Sequence, residues 1–470
     1  MNKIPVSDIT PKNTKEVETY DLYAKREHIY VKFYKGIFKN FRIISGAMML
    51  VLFYGSPWLQ WNDHQAILFD LPNRQFHVFN ATFWPQDFML LSGLLIILTF
   101  ILFVVTVFAG RLWCGYACPQ FVWTWLFIWA ERVTEGDRNQ RMKQDKKPMT
   151  KALFLRKTAK HSIWFLLALS TALAFVGYFT PIRELTPSFL NFDLGPWEFW
   201  WIGFIAVATY GNAGWLREQV CIYMCPYARF QSVMFDSDTL IISYDEKRGE
   251  NRGKRSRKTD QKAAGLGDCI DCYHCVNVCP TGIDIRDGLQ IECVACGACV
   301  DACDDIMTRI GYDKGLIKYT TENQLNGGET KIIRPKLMAY TIIVTAMIGY
   351  FGYIIFERIP IEVDVHRDRN QLFIEVSDQI IENIYTLKVA NKSNMDLVYT
   401  ISVSGIEGIK LITHPTLAVK AGKLIDYPIQ IQASTDEISK RNTNILIKVM
   451  AISAPQIQSE IESRFIAPAF

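Results

Sequence analysis

The run Cys269-Ile-Asp-Cys272-Tyr-His-Cys275-Val-Asn-Val-Cys279-Pro280 decides what kind of molecule this is, and the chain writes it twice. The second copy reads Cys293-Val-Ala-Cys296-Gly-Ala-Cys299-Val-Asp-Ala-Cys303. Three thiolates spaced two residues apart can wrap one face of a cubane cluster. The fourth cysteine of each run lies too far along to close its own cluster and crosses to the other. One [4Fe–4S] cluster is therefore expected on Cys269, Cys272, Cys275 and Cys303, and a second on Cys293, Cys296, Cys299 and Cys279. Pro280 turns the chain away after the first run, and the second run lacks that proline. Zinc sites use cysteines in pairs and would leave Cys275 and Cys299 unexplained. His274, inside the first run, reads as a solvent-facing residue. Eight acids against two arginines across 268–310 make this segment locally acidic, a solvated face or a surface for a basic partner.

The other four cysteines form a second repeat, Cys114-Gly-Tyr116-Ala-Cys118-Pro119 and Cys221-Ile-Tyr223-Met-Cys225-Pro226. Each follows an apolar segment and an arginine, Arg111 or Arg217. Cysteines at i and i+4 share one face of a helix, and the following proline limits how that helix continues. Brought together within one chain or across a homodimer, the two pairs would offer four soft thiolates, suited to Cu(I), zinc or iron–sulfur chemistry. The arginines are placed to lower the thiol pKa values. Tyr116 and Tyr223 read as interface aromatics and Met224 as a packing residue.

Composition frames these motifs. The chain has 470 residues, is 50% hydrophobic and 21% charged, and has a mean hydropathy of +0.08, which averages unlike parts. All twelve cysteines lie between Cys114 and Cys303 in tight groups, which excludes a disulfide scaffold. A net charge of +4 leaves no global footprint for nucleic acid. Dinucleotide and P-loop fingerprints and a C-x-x-C-H haem motif are absent. None of the seven histidines pairs convincingly with another within an apolar segment, so bound haem is unsupported.

Five membrane spans are expected, at about 43–58, 88–109, 161–179, 197–216 and 336–357. Phe121–Ala130, at ten residues, is too short to cross and reads as an interfacial or re-entrant piece. Trp113, Trp123, Trp125, Trp129, Trp197, Trp200 and Trp201 read as an aromatic belt. Residues 132–160 carry ten Lys/Arg against three acids, and 244–262 carry eight against four, whereas 59–86 and 181–196 have one arginine each. Positive segments stay inside. The expected order is a cytoplasmic tail at 1–40, a membrane domain at 41–235, and a cytoplasmic region at 236–335 whose cluster domain occupies about 260–310. The fifth span follows, then a periplasmic domain at 360–470. Runs such as Leu372-Phe-Ile-Glu-Val and Ile445-Leu-Ile-Lys-Val alternate or are β-branched. Some seven short strands there imply a β-sandwich of immunoglobulin type. The fold class is thus a multi-domain membrane protein: five helical spans, an inserted α+β two-cluster ferredoxin domain and a C-terminal immunoglobulin-like sandwich.

On these residues the chain resembles the FixG/RdxA/CcoG family of accessory proteins for cbb3-type cytochrome c oxidase. The paired C-x-x-x-C-P motifs also occur in the related NapH and NosR membrane polyferredoxins. The exported sandwich, with no large periplasmic flavin domain before it, favours the first family. The resemblance implies a role in oxidase maturation, with reduction of Cu(II) to Cu(I) by a membrane-bound electron-transfer protein acting as a cupric reductase. It implies Cys114, Cys118, Cys221 and Cys225 as copper or redox cysteines. The expected setting is the bacterial inner membrane. The expected partners are the lipid bilayer, oxidase-assembly or copper-delivery proteins, and an electron donor the residues do not identify. Two other functions fit the same motifs: a quinol-linked conduit of the NapH/NosR type feeding a respiratory reductase, and an assembly scaffold with structural clusters.

Overall fold

The computed structural model describes residues 28–468 except 62–63, 80, 256–264, 358, 369–371, 378, 394 and 439. The expected polar tail therefore lies outside the described residues up to residue 27, as does the end of the second basic segment, 256–262.

Fourteen helices are described: α1 (Ile37–Gly55), α2 (Phe88–Ala109), α3 (Leu112–Tyr116), α4 (Pro119–Glu135), α5 (Arg138–Asp145), α6 (Lys151–Val176), α7 (Ile182–Leu190), α8 (Pro196–Thr209), α9 (Pro226–Met234), α10 (Glu246–Gly249), α11 (His274–Asn277), α12 (Ala298–Ile310), α13 (Glu322–Leu325) and α14 (Pro335–Phe356). Among the described residues four are long and apolar enough to cross a membrane: α1 with its following turn, α2, α6 and α14. They mark the chain as a membrane protein. α2 carries no charge over its 22 residues and ends at Gly110, in the left-handed region at φ 57°. Thr150 caps α6 by accepting from the Leu153 amide.

One expectation about the membrane domain is corrected. The fourth expected span, 197–216, is helical throughout but changes pitch, and it is not among the four helices above. α8 has 14 residues and passes into a π-helical segment, Tyr210–Leu216, which ends at Arg217 with φ 45°. The expected interfacial piece, Phe121–Ala130, belongs to the 17-residue α4. Phe127 and Ala130 are fully buried against Trp164 and Ala168 of α6, because an aromatic face beside small residues packs into protein rather than into headgroups. Two tryptophans also leave the expected belt. Trp123 is buried and donates to Thr171 at 2.8 Å, and Trp125 faces inward on α4. Trp113, Trp129, Trp197, Trp200 and Trp201 are exposed.

The ferredoxin domain is closed by a two-stranded antiparallel sheet, Ile241–Tyr244 against Ile317–Thr320, which brackets both cysteine runs. It is tied to the first span through Asp301 of α12. That carboxylate accepts from the Phe38 and Lys39 amides at 3.2 and 2.8 Å, so a residue of the cluster domain caps α1. Gly36 is required there, because a Cβ would overlap Asp301.

Residues 361–466 form two packed antiparallel sheets. One has the order Lys410–Leu411, Leu424–Ser434, Ile380–Asn391, Ile361–Arg367, with Ile374–Ser377 also on Ile380–Asn391. The other has the order Thr416–Val419, Leu397–Ser404, Asn442–Ala451, Gln458–Ile466. Nine strands are present where about seven were expected. Alternating side chains bury Tyr385, Tyr399, Ile429, Ile447 and Phe465 between the sheets. Lys392 joins this sandwich to the start of α2, bonding Asp87 at 2.9 Å and Glu362 at 2.6 Å in a largely buried pair of contacts.

Candidate metal centre

Both cysteine runs are wound by the same backbone device. Asp271 and Tyr273 in the first run, and Ala295 and Gly297 in the second, are left-handed, at φ 50°, 54°, 49° and 73°. These are equivalent positions on either side of the middle cysteine. Single left-handed residues reverse the chain locally, so the side chains of each run can converge before α11 or α12 begins. Two small apolar cavities result. One is lined by Cys269, Cys272, Cys275 and Cys303 with Tyr244, Met307 and Leu316. The other is lined by Cys279, Cys293, Cys296 and Cys299 with Ile242, Pro280 and Ala298, and Cys275 also reaches it. The fourth cysteine of each run has crossed to the other run's cavity.

The donor chemistry fits iron–sulfur clusters. Burial pushes the Cys275 and Cys293 thiols up to about 12, and Cys299 and Cys303 also lie well above the usual thiol value. Such thiols need a metal's positive charge to become thiolates. Among the described residues no three His, Cys, Asp or Glu side chains converge on one ion. A cubane spreads its four ligands over four corners and does not require that convergence.

Second-sphere residues emerge that spacing did not reveal. Arg286, buried, bonds Asp284 and Asp271 and stacks over Tyr273 at 4.2 Å, which braces the loop carrying Cys272. The locally acidic surface is largely engaged internally. Asp268 pairs with Arg248, Asp301 caps α1, and Asp304 accepts from the Gly315 amide. Asp271 and Asp284 pair with Arg286, Asp305 with Arg309, and Arg252 lies 3.7 Å from Asp287. His274 is half-buried, lines the first cavity, and has no partner on Nδ1 among the described residues. This corrects the solvent-facing reading: α11 turns it toward the cavity.

The C-x-Y-x-C-P motifs do not lie on single helix faces as expected. In each, the proline restarts a helix, so the second cysteine becomes its extended N-cap. Cys118 (ψ 125°) precedes α4, and Cys225 (ψ 110°) precedes α9. Cys114 sits in the short α3, and Cys221 in a π-helical segment, Val220–Met224. The four thiols nevertheless lie in one neighbourhood of a single chain, although no three of them converge on one ion among the described residues. Ionisation of Cys221 is opposed by Cys118, Cys114 and Cys225 together, and Cys114 donates to Gln231 Oε1 of α9 at 3.3 Å.

Arg111 lowers the Cys114 pKa as expected but is outweighed by burial, and Arg217 is engaged elsewhere. Arg111 donates to the carbonyls of Ile291, Cys293 (3.2 Å) and Ala228 (2.8 Å), which joins the second cluster loop to α9. Arg217 pairs with buried Glu131, which also bonds Arg141 at 2.5 Å. Burial dominates instead, raising Cys114 to about 11 and Cys221 to about 12. Met224 and Tyr223 are more than 60% exposed, so Met224 is not a packing residue.

The first motif abuts the second cluster cavity directly. A Cβ on Gly115 would come within 2.8 Å of the Val294 carbonyl, 2.9 Å of that of Ala295 and 3.0 Å of the Cys296 Cα. Only glycine permits this approach. Tyr116 reaches the Cys296 carbonyl and the Tyr319 hydroxyl, at 3.5 and 3.1 Å. Cys114 and Cys118 pack in the same apolar cluster as Val294, Cys296 and Trp125.

A family model for a 4Fe–4S dicluster domain matches residues 216–322, and one for the immunoglobulin-like fold at the C-terminus of FixG matches residues 351–468. Nitrogen fixation protein FixG of Rhizobium meliloti is 36% identical over 82% of this chain and 80% of its own length. Proteins RdxA and RdxB of Cereibacter sphaeroides are 36% and 38% identical, over 88% and 86% of this chain and 88% of each relative. A crystal structure of a FixG-related protein from Vibrio parahaemolyticus is 33% identical, covering 23% of this chain and 98% of that one, with a TM-score of 0.22.

Proposed function

This chain belongs to the FixG/RdxA family of iron–sulfur electron-transfer proteins, and from that premise we propose that it reduces Cu(II) to Cu(I) at Cys114, Cys118, Cys221 and Cys225. Cys269, Cys272, Cys275 and Cys303 would hold one [4Fe–4S] cluster, and Cys279, Cys293, Cys296 and Cys299 the other. Bound there, the clusters supply one-electron transfer. The chain's own residues do the rest. Gly115 and Tyr116 hold the thiol site against the second cavity wall, Arg111 ties that wall to α9, and the extended N-cap of α4 places the Cys118 sulfur by the Gln120 and Phe121 amides. Cu(II) is the substrate. It gains one electron, and the soft thiolates, on losing their protons, hold the Cu(I) product.

The observation that carries this reading is the contact of Gly115 with Cys296, which gives the thiol site and a cluster cavity a shared wall. In this reading the Cu(I) passes to oxidase-assembly or copper-delivery proteins for maturation of a cbb3-type oxidase. The clusters and the N-terminus lie on the cytoplasmic side and the sandwich on the periplasmic side.

Replacing both Cys118 and Cys225 with serine should abolish copper binding while cluster absorbance persists. Normal copper binding and reduction by the purified double variant would sink the assignment. Anaerobically purified protein should carry about eight irons per chain. Clusters that cannot be cycled in a redox titration followed by electron paramagnetic resonance would leave only a scaffold.

A further inference from the structure

α1, α4 and the segment Val31–Tyr34 surround a cavity of about 510 Å³ that is open on one side, within the size range of small-molecule sites. Its floor is made of groups already engaged. Arg42, 6% exposed, lies over the Trp125 ring at 4.0 Å. Its guanidinium donates to the Tyr34 hydroxyl and, at 3.4 Å, to the carbonyl of Cys296.

The mouth is cationic. Lys39 Nζ and the Arg132 guanidinium both lie over the Phe33 ring, 3.7 and 3.5 Å from its centre, close enough for one phosphate to bridge them. Among the described residues neither side chain has an acid within ion-pair distance. The acids around them serve other groups. Glu131 pairs with Arg141 and Arg217, and Glu135 with Lys160. Asp301 caps α1, and Asp137 accepts from the Phe33 amide at 3.2 Å. Arg132 is exposed and Lys39 partly so, which leaves both open to an anion.

The flank of the cavity is apolar. It runs along α1 from Ile43 to Leu50, roughly 10 Å of helix at 1.5 Å per residue. Gly46 and Ala47 keep it shallow, and Ile43 and Trp129 at its edge are exposed. α1 is one of the four helices apolar enough to span a membrane, so the flank opens sideways to lipid.

We propose that this cavity binds one anionic phospholipid, its phosphate between Lys39 and Arg132 and an acyl chain along Gly46, Ala47 and Leu50. Charge-assisted bonds to phosphate are the strong ones, and basic pockets between membrane helices suit anionic headgroups. A zwitterionic lipid brings its own ammonium to the two cations and gains less. A soluble phosphate meets the cations but leaves the flank uncovered. The headgroup sits beside a strap to the cluster domain. There the Lys32 amide donates to the carbonyl of Asn277, inside the first cysteine run, at 2.8 Å. The lipid therefore steadies the seat of that domain on α1 and α4. Its binding is independent of the copper chemistry.

The test uses full-length protein in detergent, offered equal amounts of phosphatidylglycerol and phosphatidylcholine, with native mass spectrometry counting the lipids each chain retains. One phosphatidylglycerol per chain should persist, preferred roughly tenfold over phosphatidylcholine. Lys39→Gln with Arg132→Gln should abolish that preference. Lys146→Gln with Arg156→Gln, two exposed cations of the same basic segment, should keep it. Ala47→Trp, which fills the flank, should lose the lipid although both cations remain. Should Ala47→Trp fail to fold, competition tests the flank on the natural protein: soluble glycerol phosphate should displace the lipid far less well than free phosphatidylglycerol does. Equal retention of the two lipids would overturn the site, as would a preference unchanged in the Lys39/Arg132 variant. Equal loss in both double variants would reduce it to general surface charge. Displacement by glycerol phosphate as effective as by phosphatidylglycerol would leave an anion site and sink the lipid.

Discussion

The two C-x-Y-x-C-P motifs share cysteines, tyrosine and proline at the same spacing, yet they occupy opposite situations. The first is pressed onto the second cluster cavity, with Gly115 against backbone and Tyr116 bonded inward. The second lies in a π-helical segment with no buried residue, and its Tyr223 and Met224 face outward. Their preceding arginines diverge in the same way. Arg111 holds cluster-loop carbonyls, and Arg217 locks into an ion network with Glu131. A repeated sequence thus supplies four thiols from two differently supported arms. One arm is docked to the second cluster cavity, and the other leaves Tyr223 and Met224 exposed.

The largest expected effect separates the arms at their second position. Gly115→Val has no room against the backbone of Val294 and Cys296. Iron content should fall from about eight per chain to about four or fewer, whereas Ile222→Val at the matching position should keep the full complement. Equal iron in both would break the asymmetry.

Next is the arginine pair. Arg217→Ala leaves Glu131, whose side chain is 2% exposed, with Arg141 as its remaining partner. It should cost about 1.5–3 kcal/mol in thermal or denaturant unfolding. Arg111→Ala removes bonds to carbonyls and should cost less in stability while perturbing the cluster spectrum.

Third, burial makes the first cysteines of both arms poor nucleophiles. With Cys114 raised to about 11 and Cys221 to about 12 from 9.0, each is almost wholly thiol at pH 8. In copper-free protein, alkylation there should run roughly a hundredfold and a thousandfold slower than at an ordinary cysteine. It should rise about tenfold per pH unit as the thiolate fraction grows, since a raised pKa keeps the proton on until higher pH. Fast labelling of Cys221 would show that the exposure of the second arm reaches its sulfur.

The smallest effect is at the tyrosines. Tyr116→Phe loses two hydrogen bonds and should destabilise by about 1–2 kcal/mol, while Tyr223→Phe should lie within about 0.5 kcal/mol of the natural protein.

Much of this molecule was legible in its residues. The crossing of Cys279 and Cys303 follows from chain reach, and the strands of the sandwich follow from their alternation. α2, which is uncharged, and α14, charged only at Lys336 in its first turn, announce themselves as apolar runs of helical length. Misreadings arose where tertiary packing overrode local pattern. α4 looked like an interfacial fragment because its aromatic run is short, but its polar continuation to Glu135 is buried by charges from Arg141, Lys160 and Arg217. The i, i+4 spacing of each cysteine pair suggested one helix face, but proline favours the first turn of a new helix and breaks the pair apart. An arginine near a thiol in sequence proved to be bonded elsewhere, because a guanidinium carries five donors and carbonyls compete for them.

Sequence by itself determined which atoms are available for chemistry: eight thiols in two crossing runs, four more in a repeated motif, apolar helices to anchor them and a β-rich tail. Those features are set by spacing, periodicity and covalent reach, which are local. Only the tertiary structure decided that the first motif shares a wall with one cluster cavity, that the two motifs lie near each other in one chain, and that Trp125 and Arg42 line a cavity behind Cys296. Those are contacts between segments as much as 250 residues apart. They exist because Gly115 lets two backbones touch, Asp301 caps a helix from another domain, and burial raises the cost of every unpaired polar group until it finds a partner.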